Sequence, residues 1–231
     1  MSTKAVGLLA ILALAACRAE PAAPRFPEAQ RKVAPIVSDS FSTEDARDRL
    51  GESEAVMRFA GIAPGMSVAD IGAGEGYYTI RLSPIVGPSG RVLAQDIIPE
   101  IRDRLAQRVQ RDGLDNVSVR LGKPEDPGLP VTSFDRIFLV HMYHEVTAPY
   151  AFLWHLRDGL KAEGEVIVVD AARPIERHGM PPEQLVCEFG ALGMVPVRSA
   201  RLAGSDNYVM AFRAARGRPE PGAIKPCRAE G

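Results

Sequence analysis

Two short stretches of the 231-residue chain carry residues that can do chemistry. The first is Val68-Ala69-Asp70-Ile71-Gly72-Ala73-Gly74-Glu75-Gly76, an apolar run that ends in an acid and three glycines spaced two apart. Glycines at a strand-to-helix turn let the backbone approach a ligand, because a Cβ would block both the tight dihedrals and the contact. The expected occupant is a nucleotide-like cofactor. The second stretch is Val140-His141-Met142-Tyr143-His144-Glu145, which places two imidazoles, a phenol and a carboxylate side by side. A histidine there can take the proton of a hydroxyl, amine or thiol as that atom becomes a nucleophile.

How these groups face depends on the backbone. In an extended chain His141 and Tyr143 share one face and His144 the other; a helical turn aligns His141 with His144 and Glu145 instead. His141 is expected against the cofactor, with His144 or Tyr143 facing the acceptor as the catalytic group. The competing reading makes all of them caps of a strand end, bonded to backbone. His-x-x-His-Glu matches neither the H-E-x-x-H nor the H-x-x-E-H order of zinc hydrolases, and no third ligand is evident, so no metal is expected.

The positioning elements are legible as apolar runs. Arg91–Asp96 reads as a buried strand that closes on Asp96 and Ile97, and an acid at that point accepts hydrogen bonds from two ribose hydroxyls. Val117–Leu121, Phe134–Val140 and Glu165–Asp170 follow at βα spacing, β-branched and continuous as in a parallel sheet covered on both faces. Ile101, Leu105 and Val109 before Gly113 mark a helix, and others are expected near 149–160 and 182–192. Val195–Val197 and Tyr208–Phe212 leave no room for a helix between them, so they pair as an antiparallel hairpin.

The glycine spacing excludes one ligand class. A dinucleotide fingerprint would place its third glycine at Tyr77. Gly72-x-Gly74-x-Gly76 resembles instead the first motif of class I S-adenosylmethionine-dependent methyltransferases, and the resemblance runs over about residues 50–213, hairpin included. It implies a Rossmann-like α/β domain with a seven-stranded, mostly parallel sheet of order 3-2-1-4-5-7-6, closed by an antiparallel hairpin and covered by helices on both faces. It also implies S-adenosylmethionine as cofactor, held by Asp70, Gly72, Ala73, Gly74, Gly76, Asp96, Ile97 and His141. Where many members carry Gly-Asp-Ala to bind adenine, this chain has Gly122-Lys123-Pro124-Glu125-Asp126. Glu125 or Asp126 is the expected substitute, against the alternative of a solvated acidic loop.

The function implied is methyl transfer to a small-molecule acceptor. Two rivals are a NAD-binding oxidoreductase, against which the hairpin argues, and a non-catalytic lipoprotein that keeps the fold for binding. Residues 171–182 form a loop long enough to shape an acceptor pocket with Arg173, Arg177 and His178. Phe41–Leu50 is expected to fold over the cofactor as a short helical lid.

With 46% hydrophobic and 25% charged residues, the chain suits one α/β domain. A net charge of −1 and the lack of long like-charged blocks argue against nucleic-acid partners; the oligomeric state is not legible. Ala5–Ala16 is uncharged, too short to span a bilayer and suited to a secretory signal. Leu14-Ala15-Ala16-Cys17 resembles the bacterial lipobox, which implies a signal at 1–16, lipidation of Cys17 and a membrane anchor. An Ala-x-Ala-like cleavage that releases a soluble protein is the competing reading. The resulting layout is a tether at 17–41, a methyltransferase domain at 42–213 and a disordered tail at 214–231. The protein is then lipid-anchored on the periplasmic side of the envelope, with the outer membrane expected because Arg18 rather than Asp follows Cys17; an unused signal leaves it cytoplasmic. Cys187 and Cys227 can clamp the tail as a disulfide, but the favoured reading leaves both unpaired, Cys187 buried and Cys227 mobile.

Overall fold

A computed structural model describes residues 24–36 and 44–228, so the expected signal at 1–16 and the expected lipidation site Cys17 lie outside the described residues. The elements in chain order are α1 (Glu44–Arg49), α2 (Glu52–Ala60), β1 (Ser67–Ile71), α3 (Thr79–Val86), β2 (Arg91–Asp96), α4 (Pro99–Arg111) and β3 (Val117–Leu121). There follow β4 (Phe134–Val140), α5 (Pro149–Asp158), β5 (Leu160–Ala171), α6 (Pro182–Ala191), β6 (Met194–Arg201) and β7 (Asn207–Ala214). One seven-stranded sheet runs β3-β2-β1-β4-β5-β7-β6, the expected order. β3, β2, β1, β4 and β5 are parallel, while β7 pairs antiparallel with both β5 and β6.

The alternation of side chains along the central strands splits the core into two layers. Ile137 and Leu139 of β4 and Val166 and Val168 of β5 join Leu153, Leu156 and Phe189 from α5 and α6. Their neighbours Phe138, Ile167 and Val169 join Val56, Met57, Leu82 and Val86 from α2 and α3 on the opposite face. The central strands, buried on both sides, present only their ends to solvent, and in such sheets a ligand site forms at the carboxyl ends. α4 starts on Pro99 at its first turn, buries Ile101 and Leu105, and is followed by Gly113 at φ 63°, as its periodicity predicts.

Three differences from the sequence reading have physical causes. The periodicity reading places no helix at α2 or α3; α2 is nine residues between two left-handed glycines, Gly51 and Gly61, and α3 is eight residues holding Pro84, both too short for a clear repeat. Residues 24–36, expected as a tether, pack on the domain. Arg31 donates from Nε to Glu188 at 2.7 Å, the buried Ala34 donates its N–H to the His144 carbonyl at 3.1 Å, and Phe26 meets Trp154 edge-on at 5.6 Å.

The tail is ordered too. Trp154 donates from its indole nitrogen to the Pro219 carbonyl at 3.1 Å, Arg218 lies 3.5 Å over the Trp154 ring, and Ile224 is buried. Cys227 is disulfide-bonded to Cys187 and is the buried member of the pair, since Cys187 sits on the exposed side of α6. Composition alone reads Pro, Gly and Arg as a solvated segment; the few apolar side chains that anchor this one are spaced too widely to show as a pattern.

Candidate active site

The carboxyl ends of the parallel strands open into one cavity of about 520 Å³, within the range of small-molecule sites. The turn after β1 and the ends of β2 and β3 form one side of it; the segments after β4 and β5 form the other, and α1 and α2 lie over it.

On the first side the glycines divide their labour. Gly72, at φ 67°, has its α-carbon so close to Met142 that a Cβ would stand 2.9 Å from that side chain. Gly74, at φ 56°, faces open space within the cavity. Gly76 does not line the cavity: a Cβ there would meet Leu105 at 2.5 Å, so this glycine lets α4 pack on the turn. Ala73 donates its N–H to the Gln95 carbonyl at 2.9 Å. Asp96 ties the turn to β2, its Oδ2 accepting from the Gly74 N–H and its Oδ1 from the Ile98 N–H, both at 3.0 Å. Asp96 and Ile97 both line the cavity.

Asp70 lies beneath the turn instead, 2% exposed, and accepts from the Thr79 hydroxyl at 2.7 Å at the start of α3. Burial pushes its carboxyl up to about 6, although the Thr79 bonds and the charge of Arg47 favour the anion. Its role is to hold strand and helix together. Glu125 and Asp126 are also outside the cavity: Glu125 is exposed, and Asp126 accepts the Gly128 N–H at 2.8 Å within its own turn. The residues of that segment which do line it are Lys123 and Pro124.

Gln95 is a cavity residue that the sequence reading missed. It is 1% exposed, and its Oε1 has no hydrogen-bond partner among the protein groups. Gly122 explains its placement, since a Cβ there would overlap the Gln95 amide at 1.1 Å. A buried acceptor left unpaired beside a ligand cavity suits a donor on that ligand. A strand-end Gln with a bare Gly at the end of the next strand is too common a pattern to have singled it out.

On the second side, His141 adopts φ 53°, a left-handed conformation that is uncommon outside glycine, and the chain then makes a short 3-10 turn over Tyr143–Glu145. The helical-turn alternative is therefore the one seen. His141, His144 and Glu145 line the cavity. Tyr143 does not: fully buried, it turns away to donate its hydroxyl to Glu188 Oε2 at 2.7 Å beside Arg31, so it is a structural residue and not an acceptor-side one.

His144 is 3% exposed, with its Nδ1 2.9 and 3.0 Å from the two oxygens of the fully buried Asp170. A carboxylate accepts only, so Nδ1 is the donor to it, and in the neutral ring that tautomer leaves the lone pair on Nε2. Nε2 lies 3.9 Å from Glu145 Oε1, on the cavity side. His178 stands edge-on to His144 at 5.6 Å between ring centroids, with Arg173 next to it. Burial, with His144 and Arg173 alongside, lowers the His178 pKa, and Asp170 opposes.

Glu52 on α2 is the other group missed from sequence. It is 4% exposed and lines the cavity, accepting from Arg47 at 2.7 Å, Tyr78 at 3.2 Å, His141 Nε2 at 3.2 Å and Asn207 at 3.4 Å. Burial raises its pKa, but the His141 bond and charge and those of Arg47 outweigh that and hold it at about 2.

This position makes a test of the buried network. The folded value lies below the usual 4.5, so Glu52 adds stability that is present above about pH 4.5 and lost as pH falls toward 2. Denaturant unfolding of wild type and Glu52→Gln at pH 7 and pH 3 should show their difference shrinking by about 2 kcal/mol on acidification. An unchanged difference would remove the carboxylate from that role. Asp70 runs the other way, its raised value costing stability as pH rises from the usual 3.8 to about 6.

The residues present fit an adenosyl-type ligand: a cavity of suitable size, a glycine turn whose Gly74 faces open space, a carboxylate at the end of β2 and an unpaired amide oxygen beside it.

Comparison with known proteins agrees. The sequence profile of the protein-L-isoaspartate (D-aspartate) O-methyltransferase (PCMT) family matches residues 52–176, over half the chain. Among curated relatives, the protein-L-isoaspartate O-methyltransferase of Ignicoccus hospitalis is 32% identical over 95 residues, 41% of this chain and 44% of that protein. The nocamycin O-methyltransferase of Saccharothrix syringae is 42% identical over 73 residues, 31% of this chain and 26% of that one. The chain thus spans less than half the length of these two relatives. In structure, a SAM-dependent methyltransferase from Aquifex aeolicus superposes with a TM-score of 0.67 at 22% identity, covering 76% of this chain and all of that one. With the sheet order, the glycine turn and this match together, the chain belongs to the PCMT family of S-adenosylmethionine-dependent methyltransferases.

Proposed function

We propose that this protein transfers a methyl group to a small molecule through a protic acceptor atom, a hydroxyl, amine or thiol. The observation that carries the reading is His144, whose Nδ1 is held by Asp170 so that Nε2 faces the cavity. A carboxylate acceptor, such as the isoaspartyl group in the names of several relatives, is already ionised at neutral pH and needs no base. A protic acceptor gains from one. The match to the family ends at Arg-adjacent residue Glu176, so His178, β6 and β7 lie outside it.

S-adenosylmethionine, when bound, supplies an electrophilic methyl group. The chain's own share is orientation, exclusion of water and a place for the proton. Gly72, Ala73, Gly74, Asp96, Ile97 and Gln95 would hold the cofactor, with His141 fixed by Glu52 between it and the acceptor. Nε2 of His144 takes the acceptor's proton, and Asp170 stabilises the imidazolium that forms.

Calorimetry against S-adenosylmethionine, S-adenosylhomocysteine and NAD tests the cofactor. Asp96→Ala removes hydrogen bonds to an ionised group of about 1.5–3 kcal/mol in total, a loss of roughly tenfold or more in S-adenosylhomocysteine affinity. Unchanged affinity would sink the assignment of Asp96. Incubation with labelled cofactor and envelope metabolites, with an isoaspartyl peptide as the competing arm, then identifies the acceptor. Cofactor binding without turnover of any acceptor would favour a binding module.

The proposal extends to location. The lipobox-like Leu14-Ala15-Ala16-Cys17 and the Cys187–Cys227 disulfide each suit an oxidising envelope compartment, with Cys17 lipidated. Among the described residues no helix is long and apolar enough to cross a membrane; the anchor proposed here is the lipid on Cys17.

A further inference from the structure

We propose that the acceptor end of the cavity binds a divalent transition-metal ion through His144, Glu145 and His178. One ligand atom from each of the three lies within 4.8 Å of the others, and His144 Nε2 is 3.9 Å from Glu145 Oε1. All three line the cavity. Two imidazoles and one carboxylate form the protein ligand set of an open zinc-type site, which keeps a further position for water or substrate. The third ligand is invisible in sequence because it comes from the loop after β5, 34 residues beyond His144.

The surroundings are those of a metal ligand. Donation of Nδ1–H to Asp170 fixes the tautomer and ring plane of His144 and leaves Nε2 to face an ion, the usual outer-shell arrangement of a metal-bound histidine. His178 is held in a left-handed conformation at φ 53°, strain of the kind that clusters at functional sites. Bonds of about 2.0–2.2 Å require the ligand atoms to close by roughly an ångström. The half-buried Glu145 and His178 can make that adjustment around the fixed His144. Nitrogen and carboxylate ligands without a thiolate suit Zn²⁺, Co²⁺ or Mn²⁺ over soft ions. The nearby Arg173 is held by the His178 carbonyl at 3.3 Å and by Asp206 at 3.6 Å.

This inference rests on the reading that the acceptor sits at this end, and it changes one step within it. With the ion bound, the Nε2 lone pair belongs to the metal. The acceptor then coordinates as its anion, and its proton leaves to solvent rather than to His144.

Titration of the full chain with Co²⁺ alone, followed by visible absorption, should show one ion per chain with the band intensity of a four- or five-coordinate site. His178→Ala and Glu145→Gln should each weaken that binding by about 10-fold or more while S-adenosylhomocysteine affinity stays unchanged. Absence of Co²⁺ binding, or binding equal in wild type and both variants, overturns the site. Turnover that falls on metal stripping and returns with Zn²⁺ supports the coordinated acceptor. Full turnover in metal-stripped protein overturns it and leaves His144 as the base, so the failure of this inference is separable from failure of the methyltransferase reading.

Discussion

Replacing His144 by Ala lowers kcat by about 10²–10⁴-fold and leaves S-adenosylhomocysteine affinity nearly unchanged, the range expected for loss of a group that accepts or displaces a proton at the acceptor. The split between the two readouts follows from position: His144 lies on the β4 and β5 side of the cavity, across from the glycine turn and Asp96. His141→Ala should do the reverse, since the ring bonded to Glu52 lies between the two sides and its loss leaves a buried carboxylate short of a partner. Asp170→Asn isolates the positioning role. An amide in that place no longer compels Nδ1 to carry the proton, so kcat should fall and its pH profile shift while cofactor binding holds. If His144→Ala and His141→Ala both keep wild-type turnover and affinity, these histidines are structural and catalysis rests on proximity alone.

What could be read without coordinates was what repeats locally. The strands were legible as five apolar runs at βα spacing and two more with no room for a helix between them, because strands buried on both faces must be continuously apolar, while their order in the sheet came from the family resemblance. The glycine turn, Asp96 and the imidazole cluster were legible because their chemistry sits within a few residues of a strand end. Groups brought in from afar were not. Glu52 belongs to a nine-residue helix that covers the cavity, and Gln95 owes its place to a missing side chain at Gly122. The spacing allows Tyr143 as well as His144 on the acceptor side because it cannot show a left-handed step at His141, and that step turns the phenol toward Glu188. The motif resemblance makes Gly76 a cofactor contact, whereas the side chain it makes room for is Leu105.

Removing the disulfide should cost the fold about 4 kcal/mol, the loop-closure value for a link across 40 residues. The bond does more than join α6 to the end of the chain. It pins the end of the tail against α5, where the Cys227 N–H donates to the buried Tyr150 hydroxyl at 2.6 Å and Arg218 covers Trp154. Cys187 in turn precedes Glu188, the carboxylate that receives Arg31 and Tyr143, directly before His144 in the chain. Loosening the tail therefore exposes apolar surface of α5 and weakens the support of the turn that carries the imidazole. Cys227→Ser and reduced wild type should lose stability alike in denaturant unfolding, and the variant should no longer respond to reductant. A milder fall in kcat than in stability is expected, because none of these groups lines the cavity. Such a dependence fits a protein that matures where thiols are oxidised. Equal stability of wild type and Cys227→Ser, with and without reductant, would show that the tail holds by packing alone and would remove this support for an envelope location.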